Sequence, residues 1–153
     1  MERTLIIIKP DALQRNLVGE IVSRFERKGL KIIGMKMYEL DDLKLDEHYA
    51  HHKDKPFFSN LKKFMKSSPI ILMVLQGPEV IQACRLLCGS TKGVEADAGT
   101  IRGDLAMTNL NLVHASDSLK TAKKEIHLFF NEDELFDYKK IDSLMVYEEG
   151  VDS

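Results

Sequence analysis

The chain has 153 residues, 44% of them hydrophobic and 30% charged, enough for one packed core and incompatible with an intrinsically disordered polypeptide. Lysine and arginine number 22 against 24 acidic residues, so the net charge of −2 does not mark a nucleic-acid or membrane binder, although a basic pocket can sit inside a neutral average. The longest apolar runs, Leu5 to Ile8 and Ile70 to Leu75, fall far short of the roughly 20 residues a bilayer-spanning helix needs.

The N-terminus enters a strand-like run without a basic n-region or cleavage site, so a cytoplasmic protein is expected. Cys84 and Cys88, spaced i,i+4, are read as two reduced thiols in a core. Neither a linker nor an internal repeat divides the chain, and residues 1–153 are expected to form a single domain.

In chain order, a strand is predicted from Thr4 to Lys9, stopped by Pro10, with Asp11 placed to cap a helix or turn. An amphipathic helix follows from Leu17 to Lys28, with Ile21 and Phe25 at helical spacing and Gly29 as its stop. Leu30 to Leu40 reads as a second strand with imperfect alternation. Two short helices, Asp46 to His52 and Ser59 to Ser67, hinge at Lys55-Pro56-Phe57. Ile70 to Leu75 is the most apolar strand, and Glu79 to Leu87 a helix closed by Gly89. The polar segment from Gly89 to Gly103 is too long for an ordinary connection and becomes a functional candidate. A fourth strand near Leu110 to His114, a helix from Leu119 to Phe130 and an irregular tail complete the pattern. The order β-α-β-(αα)-β-α-β-α predicts an α+β fold: a ferredoxin-like, four-stranded antiparallel sheet with helices on one face and an inserted helical pair.

Several clusters carry chemistry. Gly99-Thr100-Ile101-Arg102-Gly103 sets an arginine, a planar phosphate donor, between two glycines that let backbone approach an anion; such a segment is also an ordinary turn. Gly89-Ser90-Thr91-Lys92-Gly93 lacks the spacing of a P-loop. In Asn111-Leu112-Val113-His114-Ala115-Ser116-Asp117-Ser118 a histidine leaves an apolar strand among small polar residues. Two readings stand: a packed histidine with Ser116 and Asp117 capping the next helix, or a nucleophile or general base oriented by neighbours such as Glu125. His48 and His52 are expected to share a helix face and could bind a metal, but no zinc-enzyme motif is satisfied and a solvated face is favoured over metal. Phe57-Phe58 after Pro56 is either core or a stacking platform for a base, and Lys9 either snorkels or projects into a pocket.

Together these segments resemble the nucleoside diphosphate kinase family. The resemblance runs from Glu2 to Tyr147 through Ile8-Lys9-Pro10-Asp11, Leu17-Val18-Gly19-Glu20-Ile21, His48-Tyr49, Lys53-Asp54-Lys55-Pro56-Phe57-Phe58, Gly99-Thr100-Ile101-Arg102-Gly103-Asp104 and the His114 segment. It implies transfer of the γ-phosphate of a nucleoside triphosphate to a nucleoside diphosphate by a ping-pong route, with His114 as nucleophile and Glu125 orienting its ring. It further implies that Lys9 and Arg102 face the transferred phosphate with Tyr49 nearby. Arg85 and Thr91 hold the other phosphates with His52, Lys9 and Asn111 reach the sugar hydroxyls, and Phe57 stacks on the base beside Leu61. Mg2+ is expected to bridge the phosphates with no protein ligand. The competing reading is a catalytically weak nucleotide-binding regulatory module on the same fold.

Neither a membrane nor a nucleic acid is expected as partner. The expected assembly is a homo-oligomer built on a symmetric dimer, as a hexamer or a tetramer, with Leu30 to Met37 as the pairing strand and one sheet face needing cover. Departures from the family pattern are Ala115 after the histidine, Gly93 where proline is common, and a stretch between Arg102 and Asn111 one residue shorter than in many animal members. If Gly93 loosens its loop, Gly93→Pro should stabilise the assembly by up to about 1 kcal/mol per site.

Overall fold

In the computed structural model, which describes residues 1–151, four antiparallel strands form one sheet in the order β2-β3-β1-β4. The strands are β1 (Glu2–Ile8), β2 (Lys31–Tyr38), β3 (Ile70–Gly77) and β4 (Val113–Ala115). This is the expected ferredoxin-like α+β sheet. β1 pairs with β3 over Glu2↔Gly77 to Ile8↔Ile71 and with β4 over Ile6↔Ala115, Ile7↔His114 and Ile8↔Val113.

The helices lie on both faces, which corrects the expectation of one bare face. On one side α2 (Val18–Arg27), α5 (Val80–Cys88) and α6 (Ile101–Leu105) enclose Ile6, Ile8, Met73 and Leu75 with Phe25, Cys84 and Ile101. On the other, α3 (Asp42–His48), α4 (Phe58–Met65) and α7 (Leu119–Phe129) enclose Leu5, Ile7, Leu72 and Val74 with Leu45, Met65 and Phe129. The cause is already in the apolar runs. Leu5 to Ile8 and Ile70 to Leu75 do not alternate, because a strand buried on both faces has no solvent side to mark with polar residues. The inserted helical pair is therefore half of the second layer.

Local differences from expectation have local causes. The alternation of β2 breaks at a bulge between Ile32 and Gly34, which shifts its exposed set to Met35 and Met37. Helix α1 (Pro10–Gln14) starts with Pro10 at its first turn and takes no cap from Asp11, whose carboxylate instead accepts from the Leu112 backbone N–H at 3.1 Å. Ser118, not Ser116 or Asp117, caps α7 by accepting from Thr121 N. The tail adds only a short helix, α8 (Ser143–Val146). Among the described residues no helix is long and apolar enough to cross a membrane, and both cysteines are buried and unbridged.

Gly93 overturns the argument made for its substitution. It is buried, its N–H donates to Thr108 O at 3.1 Å, and a Cβ there would collide with the Ala106 carbonyl. The glycine is required by close packing and leaves no loose loop for proline to stiffen. Gly93→Pro removes the donor and adds the clash, so it should destabilise the fold by about 2 kcal/mol or more. Gly93→Ala should destabilise through the clash alone, and denaturant unfolding of the two variants against the parent chain measures both losses.

Candidate active site

Ten of the residues singled out from the sequence line one cleft of ≈ 1050 Å³. Lys9, Arg102, Asn111 and His114 form its floor, where the ends of β1 and β4 meet the N-terminal turn of α6. Arg85 comes from α5 and Thr91 from the segment after it; Tyr49, His52, Phe57 and Leu61 come from the α3–α4 region opposite. Glu125 stands behind the floor, on α7.

His114 is held from behind. Its Nε2 lies 2.8 Å from Glu125 Oε2, and Ser116 Oγ donates to Glu125 Oε1 at 2.6 Å while accepting from Leu5 N. A carboxylate accepts, so the neutral imidazole keeps its proton on Nε2 and carries its lone pair on Nδ1. Burial works against the Glu125 charge, but hydrogen bonds from His114 and Ser116 outweigh it and hold its pKa below the usual value. The carboxylate is thus an ionised, nearly buried anchor, and the ring is fixed in the tautomer a nucleophile needs.

Lys9 donates to Asn111 Oδ1 at 2.8 Å, and Asn111 Nδ2 donates to Thr91 O at 2.7 Å, which ties three chain segments across the floor. Burial, reinforced by the Arg102 charge, pushes the Lys9 pKa down to about 8. Arg102 donates from Nε to Asn111 O, from one terminal nitrogen to Gly89 O and from the other to Val113 O. Its pKa is likewise lowered by burial. Two adjacent, partly desolvated cations make a floor short of negative charge, which an anionic group of a ligand would supply.

The glycines beside Arg102 do not cradle an anion. Gly103 is needed because a Cβ would meet the Asp97 carbonyl, and Gly99 N donates to Asp104. Both set the turn that starts α6, whose Thr100 cap accepts from Gly103 N at 2.9 Å. Thr91 and Arg85 lie exposed on the rim. Phe57 is 48% exposed and edge-on to His52, with ring centroids 5.3 Å apart, so an open aromatic face stands at the cleft mouth.

His48 and His52 do not share a face. Helix α3 ends at His48, and a 3-10 turn over Ala50–His52 carries His52 into the cleft while His48 points inward. Nδ1 of His48 lies 3.1 Å from Glu125 Oε2, and its ring packs edge-on to His114 at 5.0 Å. Sequence reasoning missed this contact and the Ser116–Glu125 bond. Both join segments far apart in sequence or run across a turn, and the polar run around His48 carries no signal that the ring is buried.

A sequence model of the nucleoside diphosphate kinase family matches residues 2–135. A nucleoside diphosphate kinase of Methanobrevibacter smithii is 49% identical over 149 residues, 97% of this chain and 99% of that protein. The enzyme of Parabacteroides distasonis is 51% identical, with 96% and 97% covered. Among solved structures, a halophilic nucleoside diphosphate kinase from Halobacterium salinarum in complex with CDP superposes with a TM-score of 0.94 at 45% identity, covering 96% of this chain and 99% of that one. A nucleoside diphosphate kinase family protein from Babesia bovis gives 0.92 at 44% identity, covering 96% and 100%. These relatives support an enzyme and not the regulatory-module alternative. With a sequence and a fold that agree along nearly the whole chain with those of nucleoside diphosphate kinases, the chain belongs to the nucleoside diphosphate kinase family.

Proposed function

We propose that His114 carries the phosphoryl group between the two half-reactions. Nδ1 attacks the γ-phosphorus of a nucleoside triphosphate, the bond to the bridging oxygen breaks, and the nucleoside diphosphate leaves. The acceptor diphosphate then attacks the phosphorus through a terminal β-phosphate oxygen, and the N–P bond breaks. The observation that carries this reading is the 2.8 Å contact of His114 Nε2 with an ionised Glu125, which leaves Nδ1 as the lone-pair nitrogen of a ring lining the cleft. Phosphoryl transfer asks for positioning and charge stabilisation more than covalent help. Lys9 and Arg102 supply the charge, with the Tyr49 hydroxyl beside them.

Arg85, Thr91 and His52 hold the remaining phosphates in this reading, and Lys9 with Asn111 meets the sugar hydroxyls. Phe57, with Leu61 beside it, stacks on the base. Stacking without base-edge hydrogen bonds suits one site that must accept purines and pyrimidines in turn. Mg2+ would enter on the phosphates. The cleft offers it three cations and one exposed carboxylate, Asp117, a lining that suits an ion carried by the nucleotide and not one resident in the protein. When bound, the ion neutralises phosphate charge and fixes phosphate geometry. Two unbridged buried thiols support a reducing, cytoplasmic setting, and one domain over residues 1–153 suffices for the whole reaction.

Assembly through β2 is the second part of the proposal. β2 is one of the two sheet edges; the C-terminal segment covers it at Ile33, whose carbonyl accepts from Phe136 N, and beyond that point its Met35 and Met37 side chains are 46% and 64% exposed. An open, apolar edge strand needs cover. A symmetric dimer across it, multiplied to a hexamer or tetramer, supplies that cover. The tight packing of Gly93 removes the entropic objection to the hexamer.

Four measurements test these assignments. Incubation with γ-labelled ATP and Mg2+ should yield an acid-labile, alkali-stable phosphoenzyme discharged by GDP or CDP; label persisting in His114→Ala would remove the assignment. For Lys9, kcat/KM should fall as pH rises through about 8, where the amine of the free enzyme loses its charge. In kcat the same limb should lie higher, because bound phosphates favour the charged form. The stability sign is opposite: between about 8 and the ordinary 10.5 the unfolded chain holds more protons, so folding stability should rise with pH there. Lys9→Met should abolish that rise in denaturant midpoints. Sedimentation at micromolar concentration should show a dimer or a multiple of one, and a fully active monomer would refute the β2 interface.

A further inference from the structure

His48, His114 and Glu125 form a second kind of site in the same place. His48 Nδ1 and His114 Nε2 lie 3.1 and 2.8 Å from the same oxygen, Glu125 Oε2, and one ligand atom from each residue falls within 4.8 Å of the others. Two imidazoles and a carboxylate are the donor set of open zinc sites, in which a fourth position is left to water or substrate. The second observation is the state of His48. Its side chain is only 2% exposed, yet neither ring nitrogen has a hydrogen-bond partner of good geometry. A buried polar ring without a partner is costly, and a metal ion would satisfy it.

We infer that His48, His114 and Glu125 bind a borderline transition-metal dication such as Zn2+ and that the bound ion switches the enzyme off. Around a tetrahedral ion with bonds near 2.1 Å, ligand atoms stand about 3.4 Å apart, so the two ring nitrogens, now 3.1 and 2.8 Å from Glu125 Oε2, need only back away from it slightly to admit the ion. His114 is 25% exposed and forms part of the cleft floor, so turning of its ring opens an entry path to the space behind it, where His48 and Glu125 are 2% and 8% exposed. Mg2+ does not compete, because hard cations prefer oxygen ligands and keep their water. The inhibition follows from proton balance within one ring. Metal on Nε2 takes the lone pair there, the proton formerly on Nε2 passes through solvent to Nδ1, and the nitrogen that attacks phosphorus no longer has a free pair. His48 makes the same tautomer exchange, from Nδ1–H to Nε2–H, so no net proton is released.

The inhibition rests on the His114 reading; the binding does not, and the experiment separates them. One equivalent of Co2+ added to chelator-treated enzyme should give a visible d–d band typical of low-coordinate nitrogen and oxygen ligation. The band should saturate at one ion per chain, yield to Zn2+ and persist in a large excess of Mg2+. His48→Asn and His114→Asn should each weaken binding by about 100-fold or more, while a His51→Asn/His127→Asn variant, altered only at exposed histidines, should bind as the parent does. His114→Asn keeps the test valid if His48→Asn does not fold. A band that survives both single variants, or vanishes in the double one, overturns the site. Stoichiometric binding with undiminished phosphoryl transfer would leave the site standing and remove His114 from its role as nucleophile.

Discussion

The ladder between β1 and β4 is three residue pairs long, and the chemistry of the protein hangs on it. Pairing His114 with Ile7 turns the imidazole toward the layer formed by α3, α4 and α7, where Glu125 and His48 wait. The bond from Lys9 N to Leu112 O, 2.8 Å long, carries the pairing one step past the strand and brings the lysine to the same cleft. A short ladder is weak alone. This one is rigid because β1 is fully buried from Leu5 to Ile8 and is also locked to β3 along its whole length. Core packing on both faces is thus converted into the placement of the His114 ring relative to the Lys9 amine.

Stability has been given up around that ladder. Leu112 sits at φ +72°, a left-handed conformation unfavourable for a branched side chain, and its N–H is taken by Asp11. The strain turns the chain sharply between Asn111 and Val113, so that Asn111 reaches Lys9 while Val113 enters the sheet. Glu125 is a second cost, a carboxylate with little exposure, tolerable because Ser116 and His114 both hydrogen-bond to it. Cys88 lines the same cleft but stays inert, since burial raises its pKa to about 11.

Much of this was legible in the sequence, and what was not has physical reasons. The long strands and helices announced themselves through apolar runs, periodicity and stops such as Gly29, whereas the short ones did not: the helix expected from Asp46 to His52 runs over Asp42–His48, the strand expected from Leu110 starts at Val113, and α6 starts inside the segment read as a polar connection. The sheet's second helical layer was not read, because continuous apolar runs were treated as strong strands and not as strands covered twice. The cleft residues were found through resemblance; spacing alone left Lys9, Arg102 and His114 each with an ordinary alternative. The Glu125 partnership was guessed, whereas Ser116 was assigned to a helix cap that Ser118 provides. His48 was hidden for a different reason: α3 ends at His48 itself, so helical spacing from His52 pointed its ring the wrong way.

Arg102 gives the cleft two unequal walls. Three carbonyl oxygens, from Gly89, Asn111 and Val113, are bonded to its guanidinium before any ligand arrives, so the phosphate side is already assembled. The opposite wall, from Tyr49 to Phe57, is built of a 3-10 turn and bends, with Phe57 half exposed. In the proposed pose, nucleotides meet the compliant wall with the bases in which they differ and the rigid wall with the phosphates they share. Transfer in that pose meets the same geometry whichever base is present, and differences among nucleotides fall on how long each one stays.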